Sequence, residues 1–207
     1  MKKFVFVILI FCFSLTVISC SDEKEEFTAT PKASPASWTK QLGSSSNDDA
    51  FGVATDSSGN VYVTGATTGG LDCNTSAYGN DLFVVKYNSS GTKQWTKQLG
   101  TSSRDVANGV ATDSSGNVYV TGDTTGGLDG NTSAGSNDLF VVKYNSSGTK
   151  QWTQQLGTSS NDNANGVATD SSGNVYVTGG TEGDLDGTNA GSTDLFVVKY
   201  NSDGVKQ

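Results

Sequence analysis

The stretch that decides the fold runs Gly52-Val53-Ala54-Thr55-Asp56-Ser57-Ser58-Gly59-Asn60-Val61-Tyr62-Val63-Thr64-Gly65. Two β-prone runs flank a three-residue loop that ends in Gly. That pattern suits a hairpin whose Gly takes a positive φ. The same conformation is expected at Gly116 and Gly173, which occupy the equivalent place downstream. Further on, Leu82-Phe83-Val84-Val85-Lys86-Tyr87 is apolar on both faces, and Asn88-Ser89-Ser90-Gly91 turns it into Lys93-Gln94-Trp95-Thr96-Lys97-Gln98-Leu99. The unit is four antiparallel strands joined by turns.

The unit is written three times. Trp38, Trp95 and Trp152 lie 57 positions apart. Segments 38–94 and 95–151 differ at only eight positions: Ser44/Thr101, Asn47/Arg104, Asp49/Val106, Phe51/Asn108, Ala66/Asp123, Cys73/Gly130, Tyr78/Gly135 and Gly79/Ser136. The third copy, 152–207, is one residue shorter in the loop before Asp194. A fixed long period means a stacked or radial repeat architecture. Four antiparallel strands with apolar residues on both faces describe a sheet held between similar sheets, a β-propeller blade. A stacked β-solenoid is the rival, but two tight hairpins per unit favour a meander. The expected class is all-β: three four-stranded antiparallel blades of about 57 residues each, forming an incomplete or oligomer-completed propeller.

These residues resemble the bacterial SBBP β-propeller repeat, through "GVATDSSGNVYVTG" and "DLFVVKYNSSGTKQW" and their recurrence over 38–207. The family has no established common activity, so the resemblance implies fold rather than chemistry. Gly91-x-x-x-Trp95 is similar to the tryptophan-docking motif of quinoprotein propellers. That similarity implies that Trp38, Trp95 and Trp152 staple neighbouring blades. The propeller-repeat resemblance implies that the innermost strand, Gly52–Asp56 and its copies, lines the channel. Two connections then share one face: the link carrying Asp48, Asp105 and Asp162, and the long loop carrying Asp72, Asp129 and Asp186. Long loops on a rigid scaffold are the usual binding surface, so these six acids mark the candidate binding face.

Three readings of the acids compete. Oxygen ligands are plentiful enough for calcium, and Asp184-Leu185-Asp186-Gly187 is suggestive, but a full calcium-loop spacing is absent. Paired carboxylates acting as acid and base need differentiated partners, which near-identical copies do not supply. Turn chemistry, in which Asp and Asn bond their own backbone, accounts for Asp56, Asp113 and Asp170 before each Ser-Ser-Gly. Lys86, Lys143 and Lys199 interrupt apolar strands and either pair with an Asp of a neighbouring blade or snorkel at an edge.

Composition narrows function. Of 207 residues, 13 are Lys or Arg, 21 are Asp or Glu, and none is His. Without His there is no Ser-His-Asp or Cys-His nucleophile and no imidazole-ligated zinc. A net charge of -8 argues against a nucleic-acid partner. No catalytic residue, resident metal or cofactor is expected.

Residues 1–19 read as a secretory signal: Lys2 and Lys3, then an apolar run too short to span a membrane comfortably. Val17-Ile18-Ser19-Cys20 resembles the lipobox of bacterial lipoproteins. The resemblance implies acylation of Cys20, cleavage before it, and a place in the bacterial cell envelope, at the outer membrane on its periplasmic or surface face. Loss of residues 1–19 removes two Lys and takes the net charge from -8 to -10. Residues 20–37, acidic and containing Pro31 and Pro35, read as a solvated tether. The expected function is a lipid-anchored, extracytoplasmic module for binding or scaffolding, with an unknown protein or glycan as ligand. A calcium- or carbohydrate-binding surface protein is the alternative.

Strand counting raises the question of closure. The repeat region opens with an outer strand, Trp38–Leu42, and stops at Gln207 where another is expected, which gives three blades' worth of strands. Propellers typically close with four or more blades. Either two chains meet head to tail as a six-bladed homodimer, or the chain is a truncated piece of a longer propeller.

Overall fold

A computed structural model describes residues 37–207, which form one compact unit. The leader, Cys20 and residues 20–36 of the tether lie outside the described residues.

Among the described residues eleven strands build three sheets. The first, blade 1, holds β1 (Asp48–Thr55), β2 (Val61–Thr67), β3 (Asp81–Tyr87) and β4 (Lys93–Leu99) in sequence order. Blade 2 repeats this with β5 (Asp105–Thr112), β6 (Val118–Thr124), β7 (Asp138–Tyr144) and β8 (Lys150–Leu156). Blade 3 holds β9 (Asp162–Thr169), β10 (Val175–Thr181) and β11 (Asp194–Tyr200). All pairings are antiparallel. Among the described residues no helix is long and apolar enough to cross a membrane.

The hairpins form as the sequence predicts. Gly59, Gly116 and Gly173 have φ of 75°, 77° and 78°, in the left-handed region that a β-branched residue avoids. Each turn is tied by the preceding Asp. Asp113 Oδ1 accepts from Ser115 N and Asn117 N, both at 2.9 Å, and Oδ2 accepts from Asn117 Nδ2 at 2.7 Å and Tyr119 Oη at 3.0 Å. Asp56 and Asp170 make the same four bonds. The turn-chemistry reading of these three acids therefore holds.

Two strand expectations need correction. The innermost strand starts at Asp48 rather than Gly52, because the chain pairs with β2 on both sides of a bulge at Phe51. Trp38–Leu42, read as an outer strand, forms no ladder. It lies over blade 1, where the outer strand of a preceding blade belongs, and no such blade stands beside it among the described residues. Blade 3 correspondingly has three strands instead of four. Only Lys206 begins a fourth, in a single bridge to Tyr200.

The core lies between blades. Tyr62, Leu82 and Val84 of blade 1 pack with Ala107, Val118, Val120, Phe140 and Val142 of blade 2, all fully buried. Tyr119, Leu139 and Val141 of blade 2 pack with Ala164, Val175 and Val177 of blade 3. Both faces of the middle sheet are thus covered, which explains a third strand with no polar face. The Trp residues staple these interfaces. Trp152 of β8 lies between Tyr119 of its own blade, 6.0 Å away, and Tyr200 of blade 3, 6.5 Å away. Its Nε1 donates to Ser202 O at 3.2 Å. Trp95 does the same toward Ser146 O at 3.3 Å.

The inner strands stand abreast. Thr112 Oγ1 donates to Thr55 O at 3.1 Å, and Thr169 Oγ1 to Thr112 O at 3.0 Å. Gly52 and Gly109 permit this approach. A Cβ on Gly52 would lie 3.1 Å from Asn108 O, and one on Gly109 would lie 3.3 Å from Asn165 O.

The blade 3 end of the arc is open, whereas Trp38–Leu42 covers Phe83, Val85 and Tyr87 at the blade 1 end. Leu195 and Val197 of β11 are 83% and 64% exposed, whereas their equivalents Leu139 and Val141 are fully buried. Leaving each in water forgoes roughly 1.5–3 kcal/mol of burial.

Candidate functional site

The six acids singled out in the sequence separate into two places. Asp48, Asp105 and Asp162 open the inner strands and are spent inside the blade. Asp105 Oδ2 accepts from Thr101 N at 2.6 Å and Thr101 Oγ1 at 2.9 Å, and Oδ1 accepts from Thr124 Oγ1. Asp162 repeats this with Thr158 and Thr181, and Asp48 with Ser44 and Thr67. Asp105 and Asp162 are fully buried. Burial, with the charge of Asp81 added, pushes the Asp105 carboxyl up despite its hydrogen bonds. At Asp48 burial also raises the value, but the bonds from Thr67 and Ser44 outweigh it and hold the carboxyl below its ordinary value. These three clasps join each inner strand to its neighbour, and as placed they offer no free oxygen to a ligand.

Asp72 and Asp129 sit elsewhere, at φ of 53° and 54° in single turns, paired with Lys93 and Lys150 of the outer strands. Three strand spacings, about 14 Å, separate the inner strand from the outer one, so the two sets do not converge. Asp186 is exposed and forms no ion pair among the described residues. Among those residues no three acidic or sulfur side chains come together. Among the described residues the lysines of the third strands pair with no Asp. Lys86 and Lys143 lie 5.3 and 5.4 Å from the ring centres of Tyr62 and Tyr119, and reach Ser146 O and Ser202 O of the next blade.

A different group of residues stands out once the strands are aligned. Across the three copies of the first three strands of a blade, only three positions vary: 49/106/163, 51/108/165 and 66/123/180. Two of them are cross-strand partners, as Asp49↔Ala66, Val106↔Asp123 and Asn163↔Gly180. All three lie at the end where the inner strand enters and β2, β6 or β10 leaves. Asn47/Arg104/Asn161 immediately precedes the inner strand and varies too. Within the first three strands, variation between the near-identical repeats therefore gathers at one mouth of the inner strands.

The mouth is chemically uneven. Phe51, 56% exposed at its bulge, and Asp49 present a ring and an unclasped carboxylate on blade 1. On blade 2 the exposed Arg104 guanidinium is paired with buried Asp123, whose Oδ1 also accepts from Asn108 Nδ2 at 3.1 Å. Asn108 donates as well to Ala164 O at 2.9 Å, joining blade 2 to blade 3, and Asn137 Nδ2 reaches Asn163 Oδ1 at 2.9 Å. A cavity of about 190 Å3 opens between blades 1 and 2, with Asp49 and Phe51 on one wall and Arg104 and Val106 on the other. Ring, carboxylate, guanidinium and carboxamides together can hold a polar ligand that carries one apolar group. The eight differences between the first two copies contain this signal. It is not readable without the strand register, because an inner strand starting at Gly52 leaves positions 49 and 51 in a connection.

Two known proteins share sequence with the chain. Regulatory protein FlaEY of Caulobacter vibrioides is 29% identical over 168 residues, which cover 72% of this chain and 18% of that protein. An uncharacterized WD repeat-containing protein of Acanthamoeba polyphaga mimivirus is 28% identical over 215 residues, covering 79% of this chain and 16% of that protein. The chain thus spans less than a fifth of the length of either relative. The SBBP family, described as a beta-propeller repeat, matches residues 37–72, 94–129 and 151–186, together more than half of the chain. With three antiparallel sheets packed face to face around abreast inner strands, this chain belongs to the SBBP beta-propeller repeat family.

Proposed function

We propose that the chain is a lipid-anchored, extracytoplasmic binding or scaffolding module that takes its ligand at the varied mouth of the inner strands and performs no catalysis. One observation carries the binding reading: the repeats agree at every position of their first three strands except those at this mouth. Packing alone demands no such restriction, since exposed positions elsewhere on the blades tolerate change equally well. The anchor rests on Val17-Ile18-Ser19-Cys20, which closes a short basic and apolar leader. A tether then holds the blades off the bilayer, in the envelope of a bacterial cell.

Photo-crosslinking tests the binding reading. A photoreactive residue at Phe51 or Arg104 is expected to capture a discrete envelope component in cells. The same residue at Ser58 or Ser115, in the hairpin turns at the other end of the inner strands, is not. Equal capture from both ends overturns the assignment. Metabolic labelling with an alkyne fatty acid tests the anchor independently. Label is expected on the natural chain and lost in Cys20→Ala, and an unlabelled natural chain contradicts it.

A further inference from the structure

Blades 1 and 3 carry the two halves of an interface that the chain builds twice. Leu82 and Val84 are fully buried against blade 2, and Leu139 and Val141 against blade 3. Their counterparts Leu195 and Val197 are open. At the other end of the arc, a cleft of about 270 Å3 lies between Trp38–Leu42 and blade 1, lined by Val63, Phe83, Val85 and Tyr87. The equivalent space on blade 2 is the one that Leu82 and Val84 fill.

The outer strand supplies a second match. Gln98 of β4 plugs a socket in its own blade. Its Oε1 accepts from Leu71 N at 2.9 Å, and its Nε2 donates to Gly69 O at 2.9 Å and Asp81 Oδ2 at 2.7 Å. Gln155 does the same with Leu128, Gly126 and Asp138. Blade 3 has the equivalent Leu185, Gly183 and Asp194 but no plug, and they line an open cavity of about 250 Å3. Gln41 holds the matching place in Trp38-Thr39-Lys40-Gln41-Leu42, a segment identical to Trp95–Leu99. It is exposed, and among the described residues its side chain makes no hydrogen bond.

We propose that Trp38–Leu42 of one copy of this chain adds to the open edge of β11 in a second copy, mutually and with two-fold symmetry. The register follows from β3 and β4, where Leu82 faces Leu99, Val84 faces Lys97 and Lys86 faces Trp95. Leu195 then faces Leu42 of the second copy, Val197 faces its Lys40, and Lys199 faces its Trp38. Gln41 enters the socket of Leu185, Gly183 and Asp194. Trp38, already 6.0 Å from Tyr87, receives Tyr176 on its other face, as Trp152 receives Tyr119.

The test uses the full chain carrying Cys73→Ser, made in two differently tagged forms, one with Lys40→Cys and one with Val197→Cys. Both positions are exposed, so neither change disturbs a single arc. Co-expression and mild oxidation are expected to give a covalent pair of the two forms that neither gives alone. Adding Leu195→Glu to the second form is expected to lower the yield about tenfold, because it drives a carboxylate into the joint. No pair above the single-variant background, or a pair indifferent to Leu195→Glu, overturns the proposal.

Discussion

Gly122 of β6 is where a single methyl group does the most damage. It sits opposite the bulge of β5, and a Cβ there would lie 1.8 Å from Val106 O and 2.8 Å from the Ala107 Cα. Both are backbone atoms of the paired strand, so no side-chain rotation relieves the overlap. Intrinsic preference alone would reward Gly122→Ala by about 0.5–1 kcal/mol, since Gly is costly within a strand. Against that stands a forced separation of β5 from β6 beneath the buried Ala107, at the upper end of the roughly 1–3 kcal/mol typical of overpacking. A net loss of about 2–2.5 kcal/mol follows, or a fall in Tm of roughly 4–10 °C at 2–4 °C per kcal/mol for a domain of this size. Two controls separate collision from backbone conformation. Gly130→Ala meets nothing within 4 Å but holds φ at 82°, so it should lose only about 1–2 kcal/mol. Gly191→Ala meets nothing and has no positive φ, so it should be neutral. Circular dichroism melts of the four proteins decide the matter. A Gly122→Ala protein melting with the natural chain refutes the strand pairing at the bulge.

Gly116→Val, at φ 77°, should cost roughly 1–2 kcal/mol or more in urea unfolding, and an unchanged midpoint contradicts the turn. Trp152→Ala should cost about 3 kcal/mol by the same assay, because it empties the staple between blades 2 and 3, and a loss below about 1 kcal/mol contradicts that role. Asp113 gives a pH signature. Burial raises its carboxyl, but bonds from Asn117, Tyr119 and Ser115 outweigh burial and hold it below the ordinary 3.8. Its contribution is therefore full above 3.8 and lost as pH falls through the lower folded value, so the advantage over Asp113→Asn should vanish in acid. Asp105 runs the other way: burial and Asp81 raise it, so its stability is full below 3.8 and lost as pH rises through the raised value, and Asp105→Asn should flatten that loss.

Much of the blade was legible because its signals are local. Ser57-Ser58-Gly59 sets the hairpin, the doubly apolar Leu82–Tyr87 announces a sheet covered on both sides, and the recurring Trp marks the staple. What escaped depends on register. Asp48, Asp105 and Asp162 look like surface acids in sequence, since nothing local tells that a Thr 19 residues on will bond them. Lys86 offers no hint that its partners are a ring in the preceding strand and a carbonyl one blade away. The varied mouth was present in the sequence as scattered differences and became a site only when β1 and β2 were paired.

Native mass spectrometry of the full chain, released from detergent, tests most directly the claim that Trp38–Leu42 and the open edge of β11 are halves of one interface. The account predicts an assembly of two copies that Gln41→Leu with Leu195→Glu dissociates into folded single chains. A natural chain that stays a single copy at every concentration contradicts it.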